Sequence, residues 1–588
     1  MNAKINLLKE MEKRGKKMPG IFGTNINNSN SIMEKENRIY KNLNCNNWYL
    51  ELSSIKKFYN DKTLYDNENY IVLIDGVILN LNSLKEEFKV TNIEELIIKM
   101  YEKIGNQFFN KFRGNFCGFF QDKKTGKVLI YTNHTGDKTI FYYSKGNEII
   151  FASEIKHIVK CMKENNIKYT MDKRGIYCIL TYAYMYNDLT TIQEIKRLIP
   201  GNYIKIENGK IDIIPYYKVS NDVIDTGETE EQIMANIEDK FKKAVELQIN
   251  KNKEYGYDDV APLSAGLDSR MTNYMIKKVS DKPIYNITYS QTGQLDEKTP
   301  ANISAELKNH WIFKNLDNGL ALYYIDESIV FSDGILYYVW PSQLYDFIKN
   351  LDSGNIGIVH TGVIGDVIIG TFFKNPNKQN YEIGDGAYSK RLLDKLKEII
   401  DIKDYENHEI GMMYNRAFNG AVLGYSMVFE YYTEAISPFM NIEFMEYCMS
   451  LPLKYRKNHN IYYKWVRKYH PDAAKYSHNG KKIPKEKSIK IGIKGKQYPI
   501  SSIPSMINNK LRPKLFKNNN MNPIQYWYET NDTLKNIMDG YFNNYICLMD
   551  NYKDIQLDMK ELYSTGTAME KTQVISVLAF MKKYFKEK

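Results

Sequence analysis

The chain has 588 residues, of which 43% are hydrophobic and 26% carry a charge. This length predicts two domains, or three, and the apolar content excludes a disordered protein. The formal net charge of +11 is mild for the length. No helix-turn-helix, zinc-finger or RNA-recognition pattern accompanies it, so we expect no nucleic acid partner.

The six cysteines are scattered without a CxxC pair, which predicts neither a disulfide framework nor a zinc site. No run of about twenty apolar residues occurs, and the N-terminus lacks the apolar core of a signal peptide. The sequence therefore predicts a cytoplasmic protein without a membrane partner. Residues 1–17 are basic and are interpreted as a flexible leader, or as the result of a misplaced start before Met18.

Residues 18–218 are rich in short β-like segments. Strands are predicted at 70–74, 128–131, 140–143 and 149–151, and a helix at 92–104. This pattern indicates a mostly antiparallel α+β domain. The polar stretch 219–230 is the predicted domain boundary.

From residue 231 the chain alternates between helices and strands. A long helix at about 231–250 precedes strands predicted at 260–263, 283–290, 311–316 and 356–360. Such alternation predicts βαβ units and a parallel sheet. Residues 231–588 are therefore interpreted as an α/β domain that is largely helical beyond 400, and the helical pattern of 500–588 predicts no function.

The segment Ser264-Ala-Gly-Leu-Asp-Ser269 follows a strand and opens a helix. Unpaired N–H groups at a helix N-terminus favour anions, and Gly266 lets the backbone approach a ligand closely. The hydroxyls of Ser264 and Ser269 add donors for phosphate oxygens, and Asp268 suits Mg²⁺ bound to phosphate. The Walker GxxxxGK(S/T) pattern is absent. The alternative is a capped helix with Asp268 as a first-turn carboxylate.

A second loop, His360-Thr-Gly-Val-Ile-Gly-Asp-Val-Ile-Ile-Gly370, also follows a strand and also places an aspartate after a glycine. Loops at the carboxyl ends of parallel strands meet in one crevice. We therefore expect Asp268 and Asp366 to share a metal ion. The predicted nucleotide-binding residues are Ser264, Ala265, Gly266, Leu267, Asp268, Ser269, Thr361 and Gly362.

These two segments resemble the SGGxDS pyrophosphate loop and the SGxGxDExxGG segment of the asparagine synthetase family. In the first half, 18–23 resembles the MCGIFG start of a class II glutamine amidotransferase, and 74–80 resembles its NGEIYN. Segments between 113 and 452 resemble the family's RGxFAF, GxxPLYY, FASEIK, LPPGH, YW, PFLD and LP motifs in order. The resemblance covers 18 to about 487 and is more specific for the family than for the substrate.

The resemblance implies an N-terminal Ntn-hydrolase-like sandwich and a C-terminal doubly wound parallel sheet of the adenine nucleotide α-hydrolase type, with helical additions. It also implies ATP and Mg²⁺ as cofactors. ATP would adenylate a carboxylate with release of pyrophosphate, and an amine would then displace AMP to form an amide. Holding both groups in one site can remove roughly 7–11 kcal/mol of the barrier.

The glutaminase residues of the family are replaced in this sequence. Pro19 stands where the family has its nucleophilic cysteine, and proline has no thiol. Asp75 and Val77 replace the Asn and Glu of NGEIYN, and Asn92 replaces a later Asp. We therefore expect an inactive amidotransferase domain.

Without its own glutaminase, the chain is expected to take an amine from its substrate, as β-lactam synthetases and lasso-peptide cyclases of this family do. The expected partners are a carboxylate and an amine, on separate molecules or on one peptide or small molecule. A homodimer or a partner protein is left open. The alternatives are an asparagine synthetase that uses external ammonia and a nucleotide-binding scaffold without turnover.

The second half departs from the family at four places: Ala265 replaces the first loop glycine, Val363 a Glu or Tyr, Val367 a Glu, and Asn441 the Asp of PFLD. Val363 has no group that could act as a base.

Four further residues follow from the resemblance. Glu434 matches the Glu before PFLD and is either a site residue or a structural carboxylate. A lysine that stabilises the departing pyrophosphate is expected at Lys482, with Lys481 as its neighbour. Tyr289 ends a strand where adenine is expected, and it would contribute backbone contacts or be only a strand aromatic.

Overall fold

The computed structural model describes residues 19–26, 31–33, 35, 39–45, 47–372, 380–401, 403–478, 483, 490–493, 496–499 and 520–586. Within these ranges the first half of the chain forms two six-stranded antiparallel sheets, and the second half forms a five-stranded parallel sheet. The antiparallel sandwich and the parallel sheet confirm the predicted fold class.

The first antiparallel sheet has the order β10-β8-β9-β1-β3-β2, and the second has the order β12-β11-β7-β6-β5-β4. The strands are β1 Gly20–Thr24, β2 Ile39–Cys45, β3 Trp48–Ser54, β4 Thr63–Asp66, β5 Tyr70–Ile78, β6 Gly114–Asp122, β7 Lys127–Thr132, β8 Phe141–Lys145, β9 Glu148–Ala152, β10 Lys196–Arg197, β11 Asn202–Glu207 and β12 Lys210–Pro215.

The two sheets pack face to face because alternate residues of their strands are apolar. Phe119 of β6 stacks on Phe151 of β9 with ring centroids 5.8 Å apart, and Trp48 of β3 meets Phe119 at 4.9 Å. Helices cover the outer faces, at Leu81–Phe88 and Ile93–Ile104 on one side and at Ile155–Glu164 and Lys173–Tyr182 on the other. The result is a four-layer domain.

The boundary between the halves contains no helix or strand from residue 218 to residue 229. The helix Glu230–Tyr255 then begins with a capping box, in which Thr229 and Gln232 satisfy each other's backbone N–H groups. This start lies one residue before the predicted one.

The parallel sheet has the order β15-β14-β13-β16-β17. Its strands are β13 Asp258–Pro262, β14 Tyr285–Ser290, β15 His310–Asn315, β16 Ile356–His360 and β17 Ala435–Ile436. The first four follow the predicted segments, whereas β17 is too short to show a period in the sequence. Because the chain moves outward from β13 and then returns to β16 on its other side, the sheet has a topological switch point between β13 and β16.

Helices cover both faces of this sheet, with Glu230–Tyr255 and Leu267–Val279 in one core and Val339–Ile348 and Leu423–Phe429 in the other. The remaining α-helices of the described second half are Leu295–Leu307, Ile325–Ser332, Gly365–Ile368, Leu393–Ile399, His408–Met412, Ile442–Ser450, Leu453–Arg456, Asn460–Tyr469, Pro471–Lys475, Ile524–Thr530, Asp532–Tyr545, Lys553–Thr565 and Ala568–Tyr584, with a π-helix at Met413–Val422. A hairpin joins β18 Lys490–Ile493 to β19 Lys496–Pro499. No helix in the described ranges combines the length and apolar character needed to cross a bilayer.

The C-terminal helices pack on the first half of the chain. Helix Ala568–Tyr584 is buried along most of its length. The amide of Gln573 donates to the carbonyl of Ile179 at 2.9 Å, and the hydroxyl of Tyr177 donates to Asp558 at 2.6 Å. The described part of the tail therefore braces the two halves against each other.

A cluster of buried charges joins the two halves. Lys138 of the first half lies 2.9 Å from Glu434, 3.7 Å from Glu430 and 3.4 Å from Asp75, and all four side chains are at most 3% exposed. Burial opposes the charge on Lys138, but the three carboxylates outweigh it and raise the pKa of Lys138 well above its usual range. Burial also raises the pKa of Glu430 and Glu434.

Replacing the central cation, Lys138→Met, should lower the free energy of unfolding by about 3–5 kcal/mol, since buried carboxylates would lose their main counter-charge. The deficit should shrink as the pH falls, because protonated carboxylates need no cation. Urea unfolding at several pH values measures both effects. The control Lys111→Met breaks an exposed ion pair with Glu87 and should cost about 1 kcal/mol or less. Equal losses in the two variants would contradict the role of the cluster.

Candidate nucleotide site

The first predicted loop leaves β13 at the switch point and enters helix Leu267–Val279 with Gly266 as N-cap. The hydroxyls of Ser264 and Ser269 lie 3.0 Å apart, and the N–H groups of Ser264 and Gly266 each donate to one of them at 3.1 Å. The loop is thus folded around its two serines at a helix N-terminus. Unpaired N–H groups at such a terminus attract anions.

The second loop packs directly on the first. A Cβ at Gly362 would stand 2.4 Å from the backbone nitrogen of Ser269, and one at Gly365 would stand 2.8 Å from Cγ of Asp268. Only glycine allows this approach, since real Cβ atoms do not come so close. The two predicted loops therefore form one packed surface at the carboxyl ends of β13 and β16, and the hydroxyl of Thr272 donates to the Thr361 carbonyl at 3.4 Å across their contact.

The two predicted metal ligands meet at this contact. The backbone N–H of Asp366 donates to Oδ2 of Asp268 at 2.9 Å, and the hydroxyl of Tyr462 donates to Oδ1 of Asp268 at 2.7 Å. The Asp366 carboxylate accepts a hydrogen bond from the hydroxyl of Thr371. Burial, followed by repulsion from Asp366, raises the pKa of Asp268 well above its usual range.

Two carboxylates that repel each other in a partly buried crevice fit a divalent cation. Mg²⁺ takes one or two carboxylates and completes its shell with phosphate oxygens and water. The described residues hold no group of three or more His, Cys, Asp and Glu side chains placed as metal ligands. Asp268 and Asp366 are two carboxylates of the kind that Mg²⁺ takes, and phosphate oxygens and water would supply its other ligands.

The first loop already binds an anionic group of the chain. The N–H of Ala265 donates to Oδ1 of Asp296 at 2.9 Å. Asp296 lies in the first turn of helix Leu295–Leu307, after β14. A loop N–H that donates to a carboxylate oxygen can also donate to a phosphate oxygen.

The structure places the remaining predicted residues outside this contact. Tyr289 is the second-last residue of β14. Its ring lies 6.1 Å from that of Phe347 and its hydroxyl donates to Tyr425 at 3.3 Å, so the ring belongs to a core. The Glu434 carboxylate pairs with Lys138 in the interface. Lys481 and Lys482 lie outside the described residues.

The other departures from the family have structural roles. The side chain of Asn441 caps helix Ile442–Ser450 by accepting a hydrogen bond from the N–H of Phe444 at 3.1 Å. Val363 contributes through its backbone, whose carbonyl accepts a hydrogen bond from the hydroxyl of Ser437 at 2.9 Å.

In the first half, the residues at the positions that would bind glutamine are buried or are bonded to other parts of the protein. Asp75 is buried between Lys62, at 3.7 Å, and Lys138, at 3.4 Å. Val77 is fully buried, and Asn92 caps helix Ile93–Ile104 through the N–H of Glu95 at 2.8 Å. Pro19 is buried where the described chain enters β1.

Sequence analysis missed three residues of the site. Tyr462 and Asp296 lie far from both loops in the chain and carry no motif. Arg270 directly follows the Ser264–Ser269 loop, and its guanidinium donates to the Ala265 carbonyl at 3.0 Å. Its position directly after the motif is the one sequence signal that could have indicated a contact with the loop.

Comparisons with known proteins agree with the resemblance. Residues 60–217 match the family described as glutamine amidotransferase domain. A protein provisionally named asparagine synthetase (glutamine-hydrolyzing) 2, from Methanocaldococcus jannaschii, is 25% identical over 45% of this chain and 52% of its own length. The asparagine synthetase (glutamine-hydrolyzing) 2 of Bacillus subtilis is 24% identical over 48% of this chain and 40% of its own length. The chain thus spans about half the length of the curated relatives it matches.

Among solved structures, a B. subtilis glutamine phosphoribosylpyrophosphate amidotransferase complexed with ADP and GMP is 8% identical. The match covers 53% of this chain and 63% of the amidotransferase chain, with a TM-score of 0.23. A superposition this loose adds nothing to the description of the fold.

Replacing Asp268 by Asn should stabilise the ligand-free protein. The folded protein disfavours the charged form of Asp268, so its pKa is higher in the folded than in the unfolded state. The wild type therefore loses stability as the pH rises from the unfolded-state pKa, near 3.8, through the folded-state pKa. Asn removes that charge, so its advantage should grow over the same pH range and reach about 1 kcal/mol or more near neutral pH. Thermal unfolding without ligand measures it. Asp472→Asn, at an exposed pair with Lys475, serves as control and should show no such gain.

Replacing Gly362 by Ala should separate the two loops. The added Cβ must displace the Ser269 backbone, and overpacking of this kind costs about 1–3 kcal/mol. We expect lower stability in urea and a loss of ATP binding. In the control Gly540→Ala, the helical position has open space around it, so stability should rise by up to about 1 kcal/mol. Unchanged ATP binding in the Gly362 variant would refute the contact as part of the site.

Proposed function

Because this chain is an asparagine synthetase-family protein with a glutamine amidotransferase domain, we propose that it is an ATP-dependent amide-bond-forming synthetase. In this proposal it adenylates a carboxylate and joins it to an amine without a glutaminase of its own. The reaction is that of an AMP-forming carbon–nitrogen ligase.

The observation that carries the proposal is the contact between the two loops at the switch point of the parallel sheet. Gly362 lies against Ser269, and the N–H of Asp366 bonds to Asp268, so an anion-binding helix terminus and two acidic side chains share one crevice. Open α/β sheets bind ligands at this place. A triphosphate with its Mg²⁺ matches both features.

In the first step, an oxygen of the substrate carboxylate attacks the α-phosphorus of ATP, and the bond from that phosphorus to the bridging oxygen breaks. Pyrophosphate leaves and an acyl adenylate forms. The loop Ser264–Ser269 would bind the departing phosphates through its N–H groups and hydroxyls. Tyr462 orients the Asp268 carboxylate through its hydroxyl, and Thr371 does the same for Asp366.

Asp268 and Asp366 would hold Mg²⁺, which neutralises phosphate charge when it is bound. We still predict that Lys482, or its neighbour Lys481, supplies the cation that stabilises the leaving pyrophosphate.

In the second step, the amine nitrogen attacks the acyl carbon, AMP leaves with the bonding electrons, and the amine proton passes to a base or to solvent. Val363 has no titratable group, and the Glu434 carboxylate is held by Lys138. We therefore propose that the base is a group of the substrate or a water molecule. An amine on the same molecule as the carboxylate would give a lactam and would gain most from proximity.

The first half of the chain supports an amine supplied without glutaminase. Pro19 has no thiol, and Asp75 is fixed between two lysines, so neither offers the chemistry of glutamine hydrolysis. In this proposal the domain is retained because it packs on the second half through the Lys138 cluster. The relatives are named as glutamine-hydrolyzing, and this chain would differ from them in that respect.

A second candidate is a nucleotide-binding scaffold without turnover. It is favoured by Asn441, whose side chain caps a helix where the family has an acid, and by Val363 and Val367. Turnover separates the two candidates.

The decisive test is pyrophosphate release from ATP and Mg²⁺ in the presence of amino acids and peptides that carry both a carboxylate and an amine. We expect release that depends on such a substrate, and a loss of more than about a hundredfold for Asp268→Ala and Asp366→Ala, since each removes a carboxylate that would hold the Mg²⁺ bound to the reacting phosphates. The variant Asp472→Ala should retain full activity.

Two further readouts decide between the alternatives. Glutamine should yield no glutamate in the same mixtures, whereas glutamate production at a rate matching amide formation would refute the inactive amidotransferase. Asparagine formed from aspartate and ammonium would identify an ammonia-dependent asparagine synthetase. ATP binding without pyrophosphate release from any substrate would favour the scaffold.

A further inference from the structure

Arg270 is a fully buried arginine at the start of the helix that follows the first loop. Its guanidinium donates four hydrogen bonds, all to backbone carbonyls. Three reach the segment 473–477, at Ala473 (2.8 Å), Tyr476 (2.9 Å) and Ser477 (2.8 Å), and one reaches Ala265 of the loop (3.0 Å). One side chain thus ties the loop to a segment about 200 residues away in the chain.

The charge of Arg270 has no carboxylate partner among the described residues. All its hydrogen-bond acceptors are neutral carbonyls, and burial lowers the pKa of the guanidinium. By contrast, the buried Arg456 pairs with Glu409. Buried charges are normally paired because an unpaired one is costly. Within the part of the chain that the structure describes, the positive charge at this place is therefore buried without a carboxylate beside it.

Arg197 is also a buried arginine that donates only to neutral acceptors among the described residues. Arg270 differs from it in its place, because it is bonded to the loop that the proposed function assigns to phosphates. Arg270 lies within one helical turn of Asp268 and Ser269, and its contact with the Ala265 carbonyl fixes the peptide unit that begins the helix N-terminus. An anion bound by the loop would lie near the guanidinium in a partly buried environment, where charges interact more strongly than in water.

We propose that Arg270 is a positioning residue of the nucleotide site, which locks the loop to residues 473–477 and provides the positive charge that bound phosphates compensate. The inference rests on the proposed function, since it takes the loop to bind ATP. Arg270 reaches the ligand through the loop backbone and by its charge, without donating to the phosphates itself. Its contribution should therefore grow with the number of phosphates on the ligand.

The test compares adenosine, AMP, ADP and ATP as ligands of the full chain, with Mg²⁺ present, by isothermal titration calorimetry. The variants are Arg270→Met, which removes the charge, and Arg270→Lys, which keeps the charge but loses the planar fork. The matched control is Arg197→Lys, at a buried arginine of the first half that donates to the Gly136 carbonyl and to Asn419.

We expect Arg270→Met to weaken ATP binding at least about tenfold, ADP less and adenosine hardly at all, because the lost term is electrostatic. Arg270→Lys should fall between Arg270→Met and the wild type. Arg197→Lys should leave all four affinities unchanged while lowering the thermal midpoint. If Arg270→Met does not fold, Arg270→Lys carries the comparison.

Three outcomes would overturn the inference. The first is an equal loss for adenosine and ATP, which would show that Arg270 only maintains the fold. The second is ATP affinity in Arg270→Met equal to that of the wild type. The third is a wild-type chain that binds adenosine but gains no affinity from phosphates. Failure of the wild type to bind any of the four ligands would instead defeat the proposed function, and the two failures are thus distinct.

Discussion

The close approach of two loops at the switch point of the parallel sheet is the constraint on which the rest of the site depends. Gly362 and Gly365 let the second loop lie against Asp268 and Ser269 at a distance that no side chain would permit. This approach places two acids side by side and raises the pKa of Asp268, a cost in the free protein that a cation can remove. The site is thus built at the expense of stability, as functional sites commonly are.

A second set of charges holds the two halves together. Lys138 comes from the antiparallel sandwich, and Glu430 and Glu434 come from the parallel-sheet half, so the two glutamates are paired with a cation from the other half. Such a cluster is costly to desolvate but specific, because only one docking of the halves satisfies it. The C-terminal helices reinforce that docking through buried contacts such as that of Gln573 with Ile179.

Much of the fold could be predicted because hydrophobic periodicity is local. The strands at 70–78, 258–262 and 356–360 and the helix capped by Asn92 all follow patterns contained in one short stretch of sequence. The edge strand Ala435–Ile436 could not be predicted, because two residues are too few to show an alternation of apolar and polar side chains. It is recognised as a strand by its pairing with β16. Tyr289 was also ambiguous, because the sequence does not tell which face of a strand meets which core.

The sequence by itself determined the order of the elements, the two glycine-containing loops after strands, and the presence of Pro19, Asp75 and Val77 where the resembling family has other residues. These features depend only on residue type and spacing. Only the tertiary structure decided that Asp268 meets Asp366, that Tyr462 and Asp296 bond to the first loop, and that Glu434 pairs with Lys138. It also decided that all the hydrogen-bond acceptors of Arg270 among the described residues are neutral carbonyls. Each of these joins residues more than thirty positions apart or depends on burial. Distances and desolvation arise only when the chain has folded, and no local pattern encodes them.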